Sequence, residues 1–343
     1  MKILLCASSN KRFIENGGYV ELALKKLGHC VQVFDFRDYL LPFGIRKRLP
    51  ALHGWDTHRI NRLLYEQAKS FKPDILFVVQ GQTILPQTII EMKKNLGLIA
   101  VNWFVDYPKE LDHGLKVAKA YDHFFVNGTD ALEKYLENGI THVKWLPLAC
   151  EPDIHKPLVL DEKDRLRFND DIVFIGSLYP ERISLFGNLA DLPLGIWTWD
   201  ERHQKIGTSS ALRRSIRGGP LPPCDWVKLY NSAKIALNSV GHFGEYGEKI
   251  GGDKIQMTNA RTFEILACGT FQLVDRKKDI LALFSDREDL VCYKDGDELR
   301  DLAKYYLTHP EERRKISESG HKKVLEKHTY VHRMKEIFSY LKI

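Results

Sequence analysis

Short apolar runs alternate with segments of helical spacing along the whole chain, and this alternation most constrains the fold. The first runs are Lys2 to Ala7, Val31 to Phe34, Ile75 to Val79, Leu98 to Trp103, His123 to Val126 and Val143 to Leu146. Between them, Tyr19 to Leu27, Ile60 to Phe71, Pro86 to Asn95 and Ala131 to Asn138 space their apolar residues for one helical face. Strand, helix, strand in this order predicts a parallel sheet in an α/β protein. A second series follows at Asp171 to Ile175, Leu194 to Trp199, Ile235 to Val240, Phe271 to Val274 and Leu290 to Tyr293. At 343 residues the chain has room for two domains. Pro147 to Leu158, with three prolines and no periodicity, marks the passage between them.

Other classes are set aside by composition. No apolar run reaches the length of a membrane span, and the run after Lys2 is too short for a signal-peptide core. Cys6, Cys30, Cys150, Cys224, Cys268 and Cys292 are scattered and show no metal-ligand spacing. Most fall in apolar segments and read as buried free thiols of a reducing, cytoplasmic setting. The net charge of +6 suits an anionic ligand without specifying one.

The stretch from Thr258 to Val274, TNARTFEILACGTFQLV, carries the chemistry. Asn259, Arg261 and Thr262 supply helix-start chemistry, and Phe263, Leu266 and Ala267 form an apolar face. Gly269 ends the helix before a buried strand. Glu264 is expected in the first turn, beside free amides able to hold phosphate. A carboxylate there can accept hydrogen bonds from ligand hydroxyls.

Asn-x-Arg-x-Phe-Glu-x-x-Ala-Cys-Gly resembles the signature of group 1 glycosyltransferases, above all the CgeB-like branch typified by a spore maturation protein. The C-terminal HTYVHRMKEIFSYL resembles that branch as well. The resemblance implies GT-B architecture: two Rossmann-like, doubly wound parallel-sheet domains facing a central cleft. Residues 1–150 would form the acceptor domain and 151–327 the nucleotide-sugar domain, with 328–343 a helix packing back on the first domain. It implies a metal-independent transfer from a nucleotide-diphosphate sugar, expected to be of the UDP type, with no permanently bound cofactor. The acceptor stays open: protein, glycan or small molecule, and nucleic acid less so. Glu264 would bind the ribose. Gly176 and Ser177 would face the donor phosphates with Arg182, joined by Arg261, Asn259 and Thr262.

Further candidates come from position. Ser8 to Gly18 reads as a polar loop ending in Gly17-Gly18 just before a helix, where backbone can approach a phosphate or sugar, so Gly18 is included. Trp199 ends a strand and can stack on a base. Asp106 lies just past a strand's carboxyl end, where ligands bind such sheets, and is the first candidate for catalytic base. His53 is the weaker one, in an irregular basic stretch expected over 46–58. Gly241 to Gln256, rich in glycine, reads as a loop that closes over a ligand. The family's second acidic residue, eight positions before Glu264, is here Gln256. That departure opens the donor sugar and the stereochemical outcome. The competing readings are a sugar-nucleotide epimerase or hydrolase of the same fold and a catalytically silent scaffold. The basic stretch 201–219 has no place in the expected pattern.

Overall fold

A computed structural model describes residues 1–8, 16–39, 41, 51–105, 111–198, 210–240 and 255–342. The chain divides into two compact units. One comprises Met1–Pro147 with Tyr330–Ile343, the other Leu148–Thr329.

The first unit is a six-stranded parallel sheet of order β2-β1-β3-β4-β5-β6. Its strands are β1 (Lys2–Ala7), β2 (Cys30–Asp35), β3 (Ile75–Val79), β4 (Ile99–Phe104), β5 (His123–Val126) and β6 (Val143–Trp145). Every residue of β3 is buried, as expected for a strand covered by helices on both faces. The edge strand β2 instead opens with alternating exposure. The helices are α1 (Asn16–Lys26), α2 (Phe36–Tyr39), α3 (Ala51–Phe71), α4 (Pro86–Leu96), α5 (Leu111–Ala118) and α6 (Thr129–Glu137).

Two sequence expectations change here. Helix α1 begins at Asn16, so Gly17 and Gly18 lie in its first turn and not in a preceding loop. Gly17 needs to be glycine for contact: a Cβ there would stand 2.5 Å from that of Ala7. The stretch expected to be irregular up to His58 is helical from Ala51. Tertiary anchors explain this. Asp56 is buried and accepts the Leu41 amide at 3.1 Å, while Asn61 bonds the Thr83 carbonyl and the Leu85 amide at 2.9 Å each.

The last helix, here α15 (Tyr330–Leu341), belongs to this unit. Tyr330 packs on Tyr19 and Trp103, with ring centroids 5.2 and 6.0 Å away, and donates its hydroxyl to Asn16 at 2.8 Å. Arg333 donates to the Pro147 carbonyl at 2.7 Å.

The second unit holds another six-stranded parallel sheet, of order β12-β11-β10-β7-β8-β9. Its strands are β7 (Ile172–Ile175), β8 (Leu194–Trp197), β9 (Ile216–Gly218), β10 (Ile235–Asn238), β11 (Gln272–Asp275) and β12 (Val291–Tyr293). Among the described residues its helices are α7 (Glu162–Arg167), α8 (Pro180–Gly187), α9 (Ser210–Ser215), α10 (Pro223–Ser232), α11 (Ala260–Ala267), α12 (Lys278–Leu283), α13 (Gly296–Thr308) and α14 (Pro310–Lys327). The unplaced basic stretch supplies α9 and the edge strand β9, where Arg217 is tied to Asp170 at 2.6 Å. Strand order reverses between β7 and β10, and the crevice outside the carboxyl ends at such a reversal is where open α/β sheets bind ligands.

Among the described residues no helix is long and apolar enough to cross a membrane, and no group of three or more His, Cys, Asp or Glu is placed to hold a metal ion. Cys6, Cys150, Cys268 and Cys292 are buried, whereas Cys30 and Cys224 are exposed.

Candidate functional site

Helix α11 starts where Asn259 caps it. The Asn259 side-chain oxygen accepts the Thr262 amide at 3.0 Å from an extended backbone. Residues Thr262 to Ala267 are all buried, so the helix runs through the interior of the unit. Gly269, with φ 73°, turns the chain into β11. A buried helix end needs partners for its polar groups. Asn259 meets the Thr262 amide, and Asn238, the last residue of β10, anchors that cap: its amide nitrogen donates to the side-chain oxygens of Asn259, Thr262 and Gln272 at 3.1, 3.0 and 3.2 Å. Asn259 donates back to Asn238 at 2.8 Å. The side chains of Asn259 and Thr262 are thus engaged in fixing the helix start to the sheet.

Because α11 begins at Ala260, Glu264 is its fifth residue and lies a turn inside the helix, not in the first turn as expected. It is only 3% exposed. One carboxylate oxygen is paired with Arg261, one turn back on the same face. The Arg261 guanidinium lies over the Trp226 ring, 3.8 Å from its centroid. Trp226, near the start of α10, is itself fixed by donating its indole N–H to the Leu221 carbonyl.

The other oxygen of Glu264 is 3.7 Å from Nε2 of His155. His155 is 2% exposed and lies in the proline-rich segment entering the unit. Its Nδ1 accepts the Glu151 amide at 3.1 Å, and its own amide donates to the Glu151 carbonyl at 2.8 Å. With Nδ1 acting as acceptor, the proton of the neutral ring is on Nε2, toward Glu264. Burial pulls the His155 pKa below the ordinary imidazole value, outweighing the opposing pull of the Glu264 charge.

A second cluster sits at the strand-order reversal. Gly176 follows β7 with φ 153°, and a Cβ there would meet the Phe174 ring at 3.1 Å and the Arg182 guanidinium at 3.5 Å. Arg182, in the first turn of α8, donates to the Ser177 carbonyl at 2.8 Å and also to that of Ser239. It therefore straddles the ends of β7 and β10. Its guanidinium lies 5.2 Å from the ring centroids of both Phe174 and Tyr179. Burial lowers the Arg182 pKa, and its buried Nε has no hydrogen-bond partner among the described residues. Nearby, Asp275 accepts the Val240 amide at 2.8 Å, and burial raises its pKa. Since Asn238 serves the first cluster and Ser239 the second, adjacent residues at the end of β10 join the two.

The structure thus brings Asn259, Arg261, Thr262, Glu264, Gly176, Ser177 and Arg182 into two clusters joined at the carboxyl ends of the central strands β7 and β10. Asp106 and Trp199 lie outside the described residues, as does the loop 241–254. His53 is exposed on α3, and Gly18 is half-buried in α1, both in the first unit. Gln256, at the family's acidic position, caps α12: its side chain accepts the Lys278 amide at 3.0 Å and its carbonyl the Asp279 amide at 3.1 Å. The sequence reading missed Asn238, Trp226, Glu151 and His155. The one usable signal was the pair Glu151 and His155, four apart and polar within an otherwise proline-rich linker.

Comparison with known proteins bears on the family and the fold. Residues 169–339 match the model of the family described as glycosyl transferase-like. The chain is 24% identical over 267 residues to the spore protein CgeB of Bacillus subtilis strain 168, covering 76% of this chain and 81% of that protein. Among solved structures it is similar to sucrose-phosphate synthase from Thermosynechococcus elongatus, with a TM-score of 0.70, 12% identity and coverage of 99% and 98%. It is also similar to Anabaena HepE in complex with UDP-glucose, with a TM-score of 0.63, 12% identity and coverage of 100% and 99%. Two six-stranded parallel sheets with flanking helices are the architecture of these GT-B proteins. Over residues 169–339 the chain is thus similar to the glycosyl transferase-like family, and it carries the GT-B fold.

Proposed function

We propose that this protein is a glycosyltransferase of the hexosyltransferase type, moving a sugar from a nucleotide-diphosphate sugar of the UDP type to an acceptor, without a metal. One observation carries the reading: a buried carboxylate, Glu264, is held between Arg261 and His155 one turn inside a helix whose start faces the strand-order reversal. The Anabaena HepE structure with UDP-glucose, of the same fold, supports a sugar nucleotide as the ligand.

In this reading Glu264 accepts hydrogen bonds from the ribose hydroxyls. The backbone around Gly176 and Ser177, with Arg182, receives the diphosphate, and Asn259 and Thr262 hold the α11 amides toward it. Arg261 adds positive charge beside them. The anomeric carbon–oxygen bond to the diphosphate breaks while an acceptor oxygen bonds to that carbon. The leaving diphosphate gathers charge, which the guanidinium groups and amides stabilise. The acceptor proton passes to a base, for which Asp106 is the first choice and His53 the second. Trp199 stacks on the base of the nucleotide, and Gly18 lets a phosphate or sugar of the donor approach the backbone. The four buried thiols fit a cytoplasmic protein.

The test is thermal-shift binding with a panel of nucleoside diphosphates and their sugars, on wild type and on Glu264→Ala. A ligand that binds only the native state raises the melting temperature. A shift with one nucleotide family that disappears in Glu264→Ala supports donor binding and names the base. No shift with any of them removes the transferase reading in favour of a silent scaffold. Asp106→Asn is expected to abolish transfer and leave donor binding intact. Donor turnover with water, in the absence of acceptor, would instead mark an epimerase or hydrolase.

A further inference from the structure

His155 is remote in sequence from the helix it faces, in the proline-rich segment that enters the unit. It is nevertheless the neighbour of Glu264 on the side opposite Arg261. The local turn holds its ring from two directions. The Glu151 carbonyl accepts the His155 amide at 2.8 Å, and the Glu151 amide donates to Nδ1 at 3.1 Å. The Glu151 side chain in turn accepts the Asp153 amide at 3.2 Å. This turn is tied to the segment leaving the unit: the Cys150 amide donates to the His328 carbonyl at 3.1 Å, and Cys150 and Thr329 form an isolated parallel bridge. The imidazole is therefore not a side chain that can swing away without unmaking the turn.

A buried carboxylate with one oxygen on a guanidinium can still rotate about that contact. The N–H dipole of a ring beside the other oxygen, here 3.7 Å away and outside hydrogen-bond reach, biases the plane of the carboxylate, and so the directions of the lone pairs left for a ligand. A ribose presents two adjacent hydroxyls in a fixed relation, so the plane matters more than the charge. We propose that His155 is a positioning residue for the nucleotide ribose: the dipole of its Nε2–H, held 3.7 Å from the carboxylate by the Glu151 turn, biases Glu264 toward the plane in which it receives the 2′,3′-diol. This rests on the donor reading above.

The experiment compares UDP with its 2′,3′-dideoxy analogue by calorimetric titration of the full chain, in wild type, His155→Leu and His155→Gln. In glutamine the terminal amide can put an N–H where Nε2–H stands. Wild type is expected to prefer UDP over the dideoxy analogue. His155→Leu is expected to weaken UDP about tenfold while leaving the dideoxy analogue unchanged, and His155→Gln to stay within about threefold of wild type. Loss of affinity for both ligands alike, in a His155→Gln protein with wild-type melting temperature, would overturn the proposal. So would wild-type discrimination between the two ligands in a folded His155→Leu. If wild type binds neither ligand, the donor reading falls and this one with it. If wild type binds both and only the discrimination test fails, the donor reading stands and this one alone is lost.

Discussion

The guanidinium of Arg261 lies 3.8 Å from the centroid of the Trp226 ring while it pairs with Glu264. One cation thus serves two partners. The aromatic face supports the guanidinium where little water reaches it, and the guanidinium balances a carboxylate that is nearly fully buried. Trp226→Leu removes this support. Cation–π contacts in desolvated surroundings contribute about 2 kcal/mol, so nucleotide affinity should fall roughly tenfold or more. Trp226→Phe, which keeps an aromatic face, should retain much of it. Titration of the two variants with the same nucleoside diphosphate checks this, and equal loss in both would argue against the stack.

The glycine after β7 yields a prediction about phosphate. Gly176→Ala would place a methyl 3.5 Å from the Arg182 guanidinium, on a backbone whose φ of 153° is poorly suited to alanine. Affinity for UDP should drop about tenfold, while that for uridine, which has no phosphate, should not change. Parallel titrations with the two ligands separate a phosphate defect from a general one.

Stability should depend on the terminal helix through Tyr330. Its hydroxyl meets Asn16 at 2.8 Å, across 314 residues of chain, and its ring is fully buried. Tyr330→Phe should cost about 1 kcal/mol by removing one hydrogen bond, subject to the price of leaving Asn16 without it. Tyr330→Ala should cost about 3–5 kcal/mol by opening a cavity. Trp103 lies 6.0 Å from Tyr330, so its fluorescence during urea unfolding reports on this region.

The sign of a pH effect follows from His155. Its pKa in the folded chain is lowered by burial, so below the unfolded value of about 6.5 the unfolded chain binds more protons than the folded one. Stability from this group is present above that pH and is lost as the pH falls. His29, His123 and His332 are also lowered, with burial as the largest cause, and act in the same direction. Wild type should therefore lose urea resistance as the pH drops from about 7 to about 5. His155→Gln should show a shallower slope, because the other three remain. An unchanged slope would mean that His155 titrates as it does in the unfolded chain.

Strands were the most legible elements. A run such as Ile75–Val79 is buried on both faces, so every residue is apolar and the signal is local. The start of α3 was not legible. His53, Gly54 and Trp55 are poor local evidence for helix, and what holds that end is Asp56 with the Leu41 amide and Asn61 with Thr83 and Leu85. Those partners are distant in the chain, so no window of sequence contains them.

The sequence by itself determined that strands and helices alternate, that Asn259 opens a helix and Gly269 closes it, and that Phe263, Leu266 and Ala267 share one helical face. These are properties of neighbours a few residues apart: periodicity, capping and left-handed backbone at glycine. Only the tertiary structure decided what Glu264 faces. Residues separated by about a hundred positions, His155 in a linker turn and Glu264 in a buried helix, meet because the order of strands in the second sheet folds the chain back on itself. The same order puts Ser177 and Ser239 under one guanidinium. Strand order is fixed by packing the whole sheet between its helices, and no local pattern encodes it.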